Sequence, residues 1–291
     1  MSRIVTLLLT LLLAQSTLAG KYPLTIKDCR AKSITIKREP KRIISLTPSN
    51  TEILYALGLG KRIVGVTTWC DYPPAAKKLT KIGDYNTSVE KVIYLKPDLV
   101  LAHGTLNNRV IGAIEKHGIK IVALDPKTLD QVMNDIRLVG RITNREREAA
   151  RAAGHISSTR AQVKGKVAGI KAKPKVLVAV QADPLWAAGP RTFIHEMVTL
   201  AGGINLAGDG KPGFSQFSAE AAAWRDPDII IGTTEGDERV FSKGLWKATK
   251  ASRTGRVYDI DPDILTRPGP RLADGILAVA RLIHPDVFGK H

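Results

Sequence analysis

The chain has 291 residues, of which 44% are hydrophobic, which suits one large domain or two ordinary ones and excludes general disorder. Its 44 Lys and Arg residues against 27 Asp and Glu give a net charge of +17, which favours anionic partners. No basic run, zinc-ligand pattern or aromatic-rich nucleic-acid motif accompanies this charge, so we expect a solvated basic surface and no nucleic-acid site.

The first 19 residues have the pattern of a cleavable secretory signal. Arg3 supplies the positive charge, residues 4–13 form an apolar run, and Thr17 and Ala19 are the small residues that a signal peptidase reads. An apolar run of about ten residues is too short to span a hydrocarbon core of about 30 Å. No Cys follows the run, so we expect cleavage after Ala19 and a free periplasmic protein, neither lipidated nor anchored in the membrane.

Cys29 and Cys70 are the two cysteines of the chain. In an oxidising compartment such a pair readily forms a disulfide, which would close a loop of about 41 residues and contribute up to about 4 kcal/mol. The sequence does not show whether the two residues approach each other, so the bonded and the reduced states both stay open. No His pair at metal-ligand spacing surrounds either cysteine, and no metal site is expected.

The first half of the chain predicts a small extension followed by an α/β lobe. Residues 20–41 contain two β-like pieces, 24–26 and 33–37, around a polar turn, as in a hairpin. From Arg42 to residue 126 strands and helices alternate, which predicts a parallel sheet covered on both faces. The predicted strands are 42–46, 63–67, 99–102 and 119–124, with helices at 51–57 and before Gly118.

Residues 127–172 predict a helical connection, and residues 173–291 predict a second α/β lobe. The connection contains helical stretches at 129–142 and 145–170, and a helix of about 25 residues would span about 37 Å. A new βα series then runs through 176–180, 193–200, 229–232 and 256–260, and a helix at 272–283 closes the chain. The predicted fold is therefore α/β, with two Rossmann-like lobes around central parallel sheets, joined by one long helix.

A short sequence pattern occurs once in each predicted lobe. Glu90 precedes Pro97-Asp98 by seven residues and Glu220 precedes Pro227-Asp228 by the same number, and three aliphatic residues follow each Pro-Asp pair. This repetition predicts the same helix–turn–strand unit in both lobes.

No catalytic constellation is found in the sequence. It lacks a G-x-S-x-G elbow, a P-loop, an H-E-x-x-H motif and a G-x-G-x-x-G motif after a strand. His195, Glu196 and Ser215 could be parts of a hydrolytic site, but nothing in the sequence brings them together. We therefore expect no enzyme activity, and a periplasmic hydrolase or metallo-enzyme is the weaker alternative.

Binding is better supported, because aromatic residues follow several predicted strands. In open α/β sheets, ligands lie beyond the carboxyl ends of the strands, in the loops that follow them. Trp69, Trp186 and Phe214 fall in such predicted loops although only 5% of residues are aromatic. Aromatic side chains placed there are typical of ligand walls. A structural role for any one of them, such as Trp69 packing under a loop, remains open.

Several motifs occur in an order that resembles a known family. Residues 45–58 (SLTPSNTEILYALG) are followed by 63–66 (IVGV), 71–74 (DYPP) and 95–100 (LKPDLV). Together they resemble the helical-backbone class of periplasmic binding proteins, which serve ABC importers of vitamin B12, ferric siderophores and haem. The resemblance covers nearly the whole chain after Arg42. Within the class, the DYPP stretch and the later Arg267-x-x-Pro270-Arg271 most resemble the members that bind vitamin B12.

The resemblance implies a set of ligand contacts. It places His103 over the edge of a corrin ring and implies polar contacts from Asp263 and Arg267. The implied ligand walls are Pro48, Trp69, Trp186 and Phe214, with Tyr85 as a further aromatic. Ile264 stands where the family pattern has a Trp, and His103 replaces an indole. A hairpin-like extension is more usual in members that bind iron chelates. Tyr85 or His103 could also ligate haem iron, so a siderophore or haem remains the alternative ligand.

The resemblance also implies a partner. Glu90 and Glu220, one on each lobe, match glutamates that dock onto arginines of the membrane permease. Glutamates at helix starts are otherwise common, because a carboxylate there meets the positive end of the helix. We expect a monomer that carries no cofactor of its own and captures its ligand in a preformed pocket, with little lobe movement.

Overall fold

The computed structural model describes residues 21–84 and 86–289. The expected signal segment, residues 1–19, and Tyr85 lie outside these residues. In the part of the chain that is described, none of the helices has the length and apolar character needed to cross a membrane.

The extension at the start of the described chain is a β-hairpin. Strands β1 (Leu24–Lys27) and β2 (Ser33–Ile36) pair antiparallel, and Leu24 lies opposite Ile36. Alternate residues of the hairpin are buried, as the two-residue period of a strand requires. The Asp28 carboxylate at its turn accepts a hydrogen bond of 3.1 Å from the Ala123 backbone N–H. The hairpin is thereby fixed to the first lobe.

The first sheet has four parallel strands. They lie in the order β4-β3-β5-β6, and their bounds are β3 Ile43–Ser45, β4 Ile63–Val66, β5 Leu99–His103 and β6 Ile121–Leu124. Its helices are α1 Pro48–Ala56, α2 Val89–Tyr94 and α3 Asn108–Glu115. Short 3-10 turns occupy Gly60–Arg62 and Pro74–Lys78. Strand residues are almost all buried on both faces, which confirms the predicted covered parallel sheet.

Two helices connect the sheets. Helix α4 (Leu129–Thr143) begins at Thr128, whose hydroxyl caps the Gln131 N–H, and ends at Asn144 in a left-handed conformation. Helix α5 (Glu146–Val167) has 22 residues and is thus about 33 Å long. Its first turn is acidic and its last turn is basic, which complements the helix dipole. It ends about three residues before the predicted position.

The second sheet is mixed, whereas the sequence predicted a parallel sheet. Its strand order is β10-β8-β7-β11-β12, and β9 also pairs with β7. The bounds are β7 Lys175–Gln181, β8 Trp186–Ala188, β9 Ile204–Asn205, β10 Phe214–Gln216, β11 Ile229–Gly232 and β12 Val257–Asp259. Strands β8 and β10 run antiparallel to their neighbours. Only a short turn separates β7 from β8, and a parallel pair would need a far longer crossover.

Seven helices follow within the described part of this second lobe. Their bounds are α6 Phe193–Leu200, α7 Ala219–Trp224, α8 Asp237–Phe241, α9 Lys250–Arg253, α10 Pro262–Thr266, α11 Leu272–Ile283 and α12 Pro285–Phe288. A 3-10 turn occupies Gly244–Ala248. The repeated sequence pattern falls on the same unit twice, as α2 leading into β5 and as α7 leading into β11.

The sheets share one core on their inner faces. Ile43 and Leu101 of the first sheet belong to the same cluster of buried apolar residues as Val178 and Ile231 of the second sheet. This cluster runs through α4, α5 and α11. The alternate strand residues, such as Val100 and Ile230, face two separate outer clusters. The two lobes are therefore joined by continuous packing as well as by the chain.

The possible disulfide between Cys29 and Cys70 does not form: both are free thiols. Cys29 hydrogen-bonds β6 through its N–H, which reaches the Ala123 carbonyl at 3.1 Å. Cys70 follows β4 and is buried with its Sγ 3.2 Å from the Thr67 hydroxyl. Strands β4 and β6 are opposite edges of the first sheet, about 14 Å apart over three strand spacings. A disulfide requires Cα atoms within about 7 Å.

Candidate ligand-binding cleft

A cleft of about 530 Å³ lies between the lobes. The first lobe lines it with the segments that follow its strands, around Thr47, Trp69, Thr105 and Pro126. The second lobe contributes the start of α6, the start of β10 and the region of α10. The carboxyl ends of parallel strands are the usual position of ligands in open α/β sheets. The same physical rule therefore places the cleft where the sequence predicted it.

Most of the predicted ligand residues lie together in this cleft. Those that line it are Pro48, Trp69, His103, Phe214, Asp263 and Arg267. Trp186 is not among the lining residues. Trp186 is the first residue of β8, where it lies opposite Gln216, and is not part of the predicted loop. Its side chain is on the same sheet face as Phe214 but one pleat further along. Phe214 is likewise the first residue of a strand and not part of a loop.

The apolar walls of the cleft come from both lobes. Trp69 is 53% exposed, and Leu106 and Phe214 are also largely exposed for apolar side chains. Phe214 meets Phe193 edge to face, with ring centroids 6.1 Å apart. Pro48 adds a rigid wall at the first turn of α1. Covering these groups with a ligand would remove apolar surface from water, at about 25 cal/mol per Å².

His103 forms a polar corner of the cleft. Its Nδ1 accepts the backbone N–H groups of Thr105 and Leu106 at 3.3 Å, and its Nε2 lies 3.3 Å from the Asp125 carboxylate. These partners assign the proton to Nε2. Burial lowers the pKa of His103, partly offset by Asp125. The ring is therefore neutral with both nitrogens engaged, which argues against His103 as an iron ligand.

Asp125 connects this corner to two further cleft residues. The Thr105 hydroxyl donates to the carboxylate at 2.6 Å, and the Lys127 ammonium pairs with the same group. Burial alone would raise the pKa of Asp125, but hydrogen bonds from Lys127 and Thr105 hold it below its usual value. The carboxylate thus stays ionised and neutralises Lys127, so the corner offers hydrogen bonds more than net charge.

A cluster of charged residues joins the lobes beside the cleft. Arg267 of the second lobe donates to Asp71 at 2.7 Å and to Glu52 at 3.2 Å, both in the first lobe. Arg271 grips Glu52 with two hydrogen bonds of 2.7 and 2.9 Å. Asp263, which lies in α10, forms ion pairs with both Arg267 and Arg271. We call these five residues the inter-lobe ion cluster.

Glu52, Asp71 and Arg271 were not predicted as site residues. Glu52 is only 3% exposed and is followed in α1 by Ile53 and Leu54, which are almost completely buried. Such a buried carboxylate requires a partner, and this was the available signal. Its partner is 219 positions away, which no local pattern reveals. The hydrogen bonds that Arg271 donates to Glu52 raise the pKa of Arg271, and its guanidinium also stacks 3.9 Å from the centroid of the Tyr72 ring.

The arrangement suits binding of a ligand with broad apolar faces and polar edges. Within residues 21–84 and 86–289, no group of three or more His, Cys, Asp or Glu side chains could hold a metal ion. Of the three residues considered for a hydrolytic site, His195 hydrogen-bonds Asn205, Glu196 accepts the Leu129 backbone N–H, and Ser215 lies in β10. The cleft therefore offers a ligand apolar walls and hydrogen-bonding groups.

Comparison with known proteins identifies the class to which this fold and cleft belong. The family model described as periplasmic binding protein matches residues 43–264. This span includes both sheets and the helices that connect them. The chain belongs to the periplasmic binding protein family.

Individual relatives cover most of the chain. It is 40% identical over 276 residues to an uncharacterised ABC transporter substrate-binding lipoprotein of Bacillus subtilis, covering 92% of this chain and 87% of that protein. It is 32% identical to a vitamin B12-binding protein of Pectobacterium atrosepticum, covering 80% and 85%. Among solved structures, the periplasmic heme-binding protein of Roseiflexus sp. RS-1 in its apo form superposes with a TM-score of 0.76 at 28% identity, covering 85% and 99%.

Proposed function

We propose that this protein is the exported substrate-binding component of an ABC importer and that it captures a corrinoid between its two lobes. The observation that carries the proposal is the cleft itself, where exposed Trp69 and Phe214 face a common space from different lobes. Exposed aromatic side chains cost free energy in water unless a ligand covers them. The substrate-binding relatives in Bacillus and Pectobacterium support the transport role.

The choice of a corrinoid rests on two supports. The Pectobacterium relative is named as a vitamin B12-binding protein. The cleft combines apolar walls with the hydrogen-bonding corner of His103, Thr105 and Asp125, which suits a macrocycle with flat faces and amide edges. Haem is the second candidate, because the Roseiflexus neighbour is named as heme-binding. Against haem, the nitrogens of His103 are both engaged.

The location and partner belong to the same proposal. We infer export through a signal ending at Ala19 and a free periplasmic form, although the Bacillus relative is named as a lipoprotein. Intact mass of the protein from the periplasmic fraction should place Gly20 first. Glu90 and Glu220 are exposed at the starts of α2 and α7, away from the cleft, and we assign them to permease docking. The protein acts as a monomer that binds without catalysing a reaction.

A titration tests the proposed function. The protein, purified without ligand, is titrated with cyanocobalamin, cobinamide, haemin and a ferric siderophore, and tryptophan fluorescence and the visible spectrum are followed. We expect one equivalent of corrinoid to bind most tightly and to be recovered chemically unchanged. Tighter binding of haemin would replace the corrinoid assignment. Turnover of any ligand, or no binding at all, would overturn the role of a binding protein.

A further inference from the structure

The two copies of the repeated unit share their capping interactions. Each residue of the second copy lies 130 positions after its counterpart. The Ser88 hydroxyl caps the Lys91 N–H in α2, and the Ser218 hydroxyl caps the Ala221 N–H in α7. Each serine also donates to the glutamate two positions later, at 2.9 Å in both copies. The glutamates are therefore held in the same place on both helices.

The far ends of the two helices are also alike. Each helix leads into a turn in which one residue has positive φ, 46° at Lys96 and 50° at Asp226. A basic side chain at the start of a neighbouring strand then caps the carbonyl groups at the end of each helix. Arg42, just before β3, donates to the Leu95 oxygen, and Lys175, the first residue of β7, donates to the Arg225 oxygen. Six-residue helices have little stability alone, so these matched contacts hold both copies in one geometry.

A large aromatic residue ends each helix and points into solvent. Tyr94 is 82% exposed and Trp224 is 87% exposed. Among the large apolar side chains of the described residues, the next most exposed is Trp69 of the cleft, at 53%. Single exposed apolar residues are common on protein surfaces. Here the two most exposed ones occupy equivalent positions in two copies of one unit.

Each aromatic residue lies beside the docking glutamate of its own helix. Tyr94 is four positions after Glu90, and Trp224 is four positions after Glu220, so each pair shares one helix face. Backbone and serine hydrogen bonds hold the pKa of both glutamates below the usual value, and both are fully exposed. Neither glutamate forms an ion pair within the described part of the chain, so each is an ionised carboxylate beside an uncovered ring.

We propose that Tyr94 and Trp224 are the apolar half of the permease-docking surface. Each lobe presents one carboxylate and one aromatic ring a helical turn apart. The occupant is a permease dimer that presents the same apolar pocket, rimmed by basic side chains, once in each subunit. A partner with two identical sites matches a chain that carries the same pair twice. Aromatic anchors surrounded by charged contacts are the usual source of affinity at protein interfaces. This inference rests on the proposed importer function and extends it.

Docking is measured directly to test this surface. The importer, with its permease and ATPase subunits from the same organism, is held in lipid nanodiscs, and full-length mature protein is titrated onto it. We expect Tyr94→Ala and Trp224→Ala to weaken docking at least about 10-fold each, and the double variant to weaken it further. Tyr94→Trp and Trp224→Tyr should dock within about 3-fold of the unchanged protein, because each keeps an aromatic ring. Cyanocobalamin affinity, measured in parallel, should be the same throughout.

Controls separate this inference from the function on which it rests. Leu245→Ala removes an exposed apolar side chain outside both units and should not change docking. Charge reversal of Glu90 and Glu220 to Lys should abolish docking. If charge reversal abolishes docking but the alanine variants dock normally, the aromatic half is wrong and the importer role stands. If the unchanged protein does not dock at all, both the importer role and this inference are overturned.

Discussion

Trp69 and Trp186 show how one residue type takes two roles in the same protein. Both are exposed tryptophans at the end of a strand. Trp69 lies in the segment after β4, and Trp186 is the first residue of β8. Trp69 lies on the cleft wall, whereas Trp186 is displaced by one pleat of β8 and does not line the cleft. The difference comes from the antiparallel pairing of β8, which turns a predicted loop into a strand.

We predict that Trp69→Ala weakens ligand binding by at least about 30-fold, since truncating an aromatic hot spot costs about 2 kcal/mol or more. The melting temperature of the ligand-free protein should hardly change, because Trp69 is about half exposed. Trp186→Ala is the matched control and should have the smaller effect on affinity. Equal losses from both variants would mean that the ligand extends well beyond the cleft walls described above.

Asp135 is a partly buried acid that forms no ion pair with any residue in the described part of the chain. Burial, with a smaller effect of Asp125, raises its pKa to about 7. Burial, together with the carboxylates of Asp28, Asp125 and Asp135, raises the pKa of the nearby Cys29 thiol to about 11. Because the unfolded chain ionises Asp135 near its ordinary value of about 4, folding becomes less favourable as the pH rises from about 4 to 7.

Asp135→Asn should therefore stabilise the protein at high pH. Its free energy of unfolding should match that of the unchanged protein near pH 4 and exceed it by about 2 kcal/mol or more at pH 8, given 1.36 kcal/mol per unit of pKa shift. Urea unfolding at several pH values measures the difference. Two parallel stability curves across this pH range would show that Asp135 has an ordinary pKa in the folded protein.

At the scale of elements, the pattern of apolar residues was sufficient to predict helices that bury one face and strands that are buried on both faces. Helix α11 has the predicted bounds, 272–283, because Gly and Pro residues before it and His284-Pro285 after it mark both ends. Strands β3, β5, β6 and β11 were found because buried parallel strands are runs of aliphatic residues. Strands β8 and β10 were missed, because each has only three residues. The turn before β8 carries no Asn-Gly signal, and β10 pairs with β8 across an intervening helix and strand.

The same limit applies to the candidate site. The cleft walls at Pro48 and Trp69 were predictable, because residues after parallel strands meet at one edge of a sheet. The inter-lobe ion cluster was not, because its members come from α1, the segment after β4, and the region of α10, which only the finished fold brings together. Glu52 could be marked as unusual in the sequence, but its partners could not be named.

The contact between α4 and α5 depends on Gly140. A Cβ there would overlap the Ala149 Cβ and lie 2.9 Å from the Arg145 carbonyl oxygen. Gly140→Ala should therefore push the two helices apart and lower the free energy of unfolding by about 1–3 kcal/mol. Gly154→Ala, on the open face of α5, is the control and should raise it by about 0.5–1 kcal/mol through helix propensity. Thermal and urea unfolding compare the two, and a stable Gly140→Ala protein would show that the helices are loosely packed.

At the scale of the whole molecule, three features oppose lobe movement. Helix α5 spans the connection, one apolar cluster continues through both lobes, and the inter-lobe ion cluster closes the side of the cleft. These features support the expectation from the sequence that the ligand enters a preformed pocket.

Removing the shared carboxylate tests the ion cluster. Glu52→Gln leaves Arg267 and Arg271 with weaker partners in a nearly buried position, and should lower the free energy of unfolding by about 2–4 kcal/mol. We also expect a larger radius of gyration in small-angle scattering as the lobes separate. Arg160→Gln breaks an exposed pair with Asp130 and should cost less than about 1 kcal/mol. If both variants unfold alike and scatter alike, the ion cluster does not hold the lobes together.

The repetition of α2–β5 as α7–β11 has a consequence for the speed of encounter. A partner with two identical half-sites cannot distinguish which lobe meets which half, so the protein has two equivalent ways to land, related by half a turn. This degeneracy doubles the number of productive approaches and is worth about 0.4 kcal/mol, or RT ln 2, without any added contact. The cleft between the lobes is not symmetric, since one sheet is parallel and the other is mixed. A half turn nevertheless maps such a partner onto itself, so both landings would present the cargo to it in equivalent orientations.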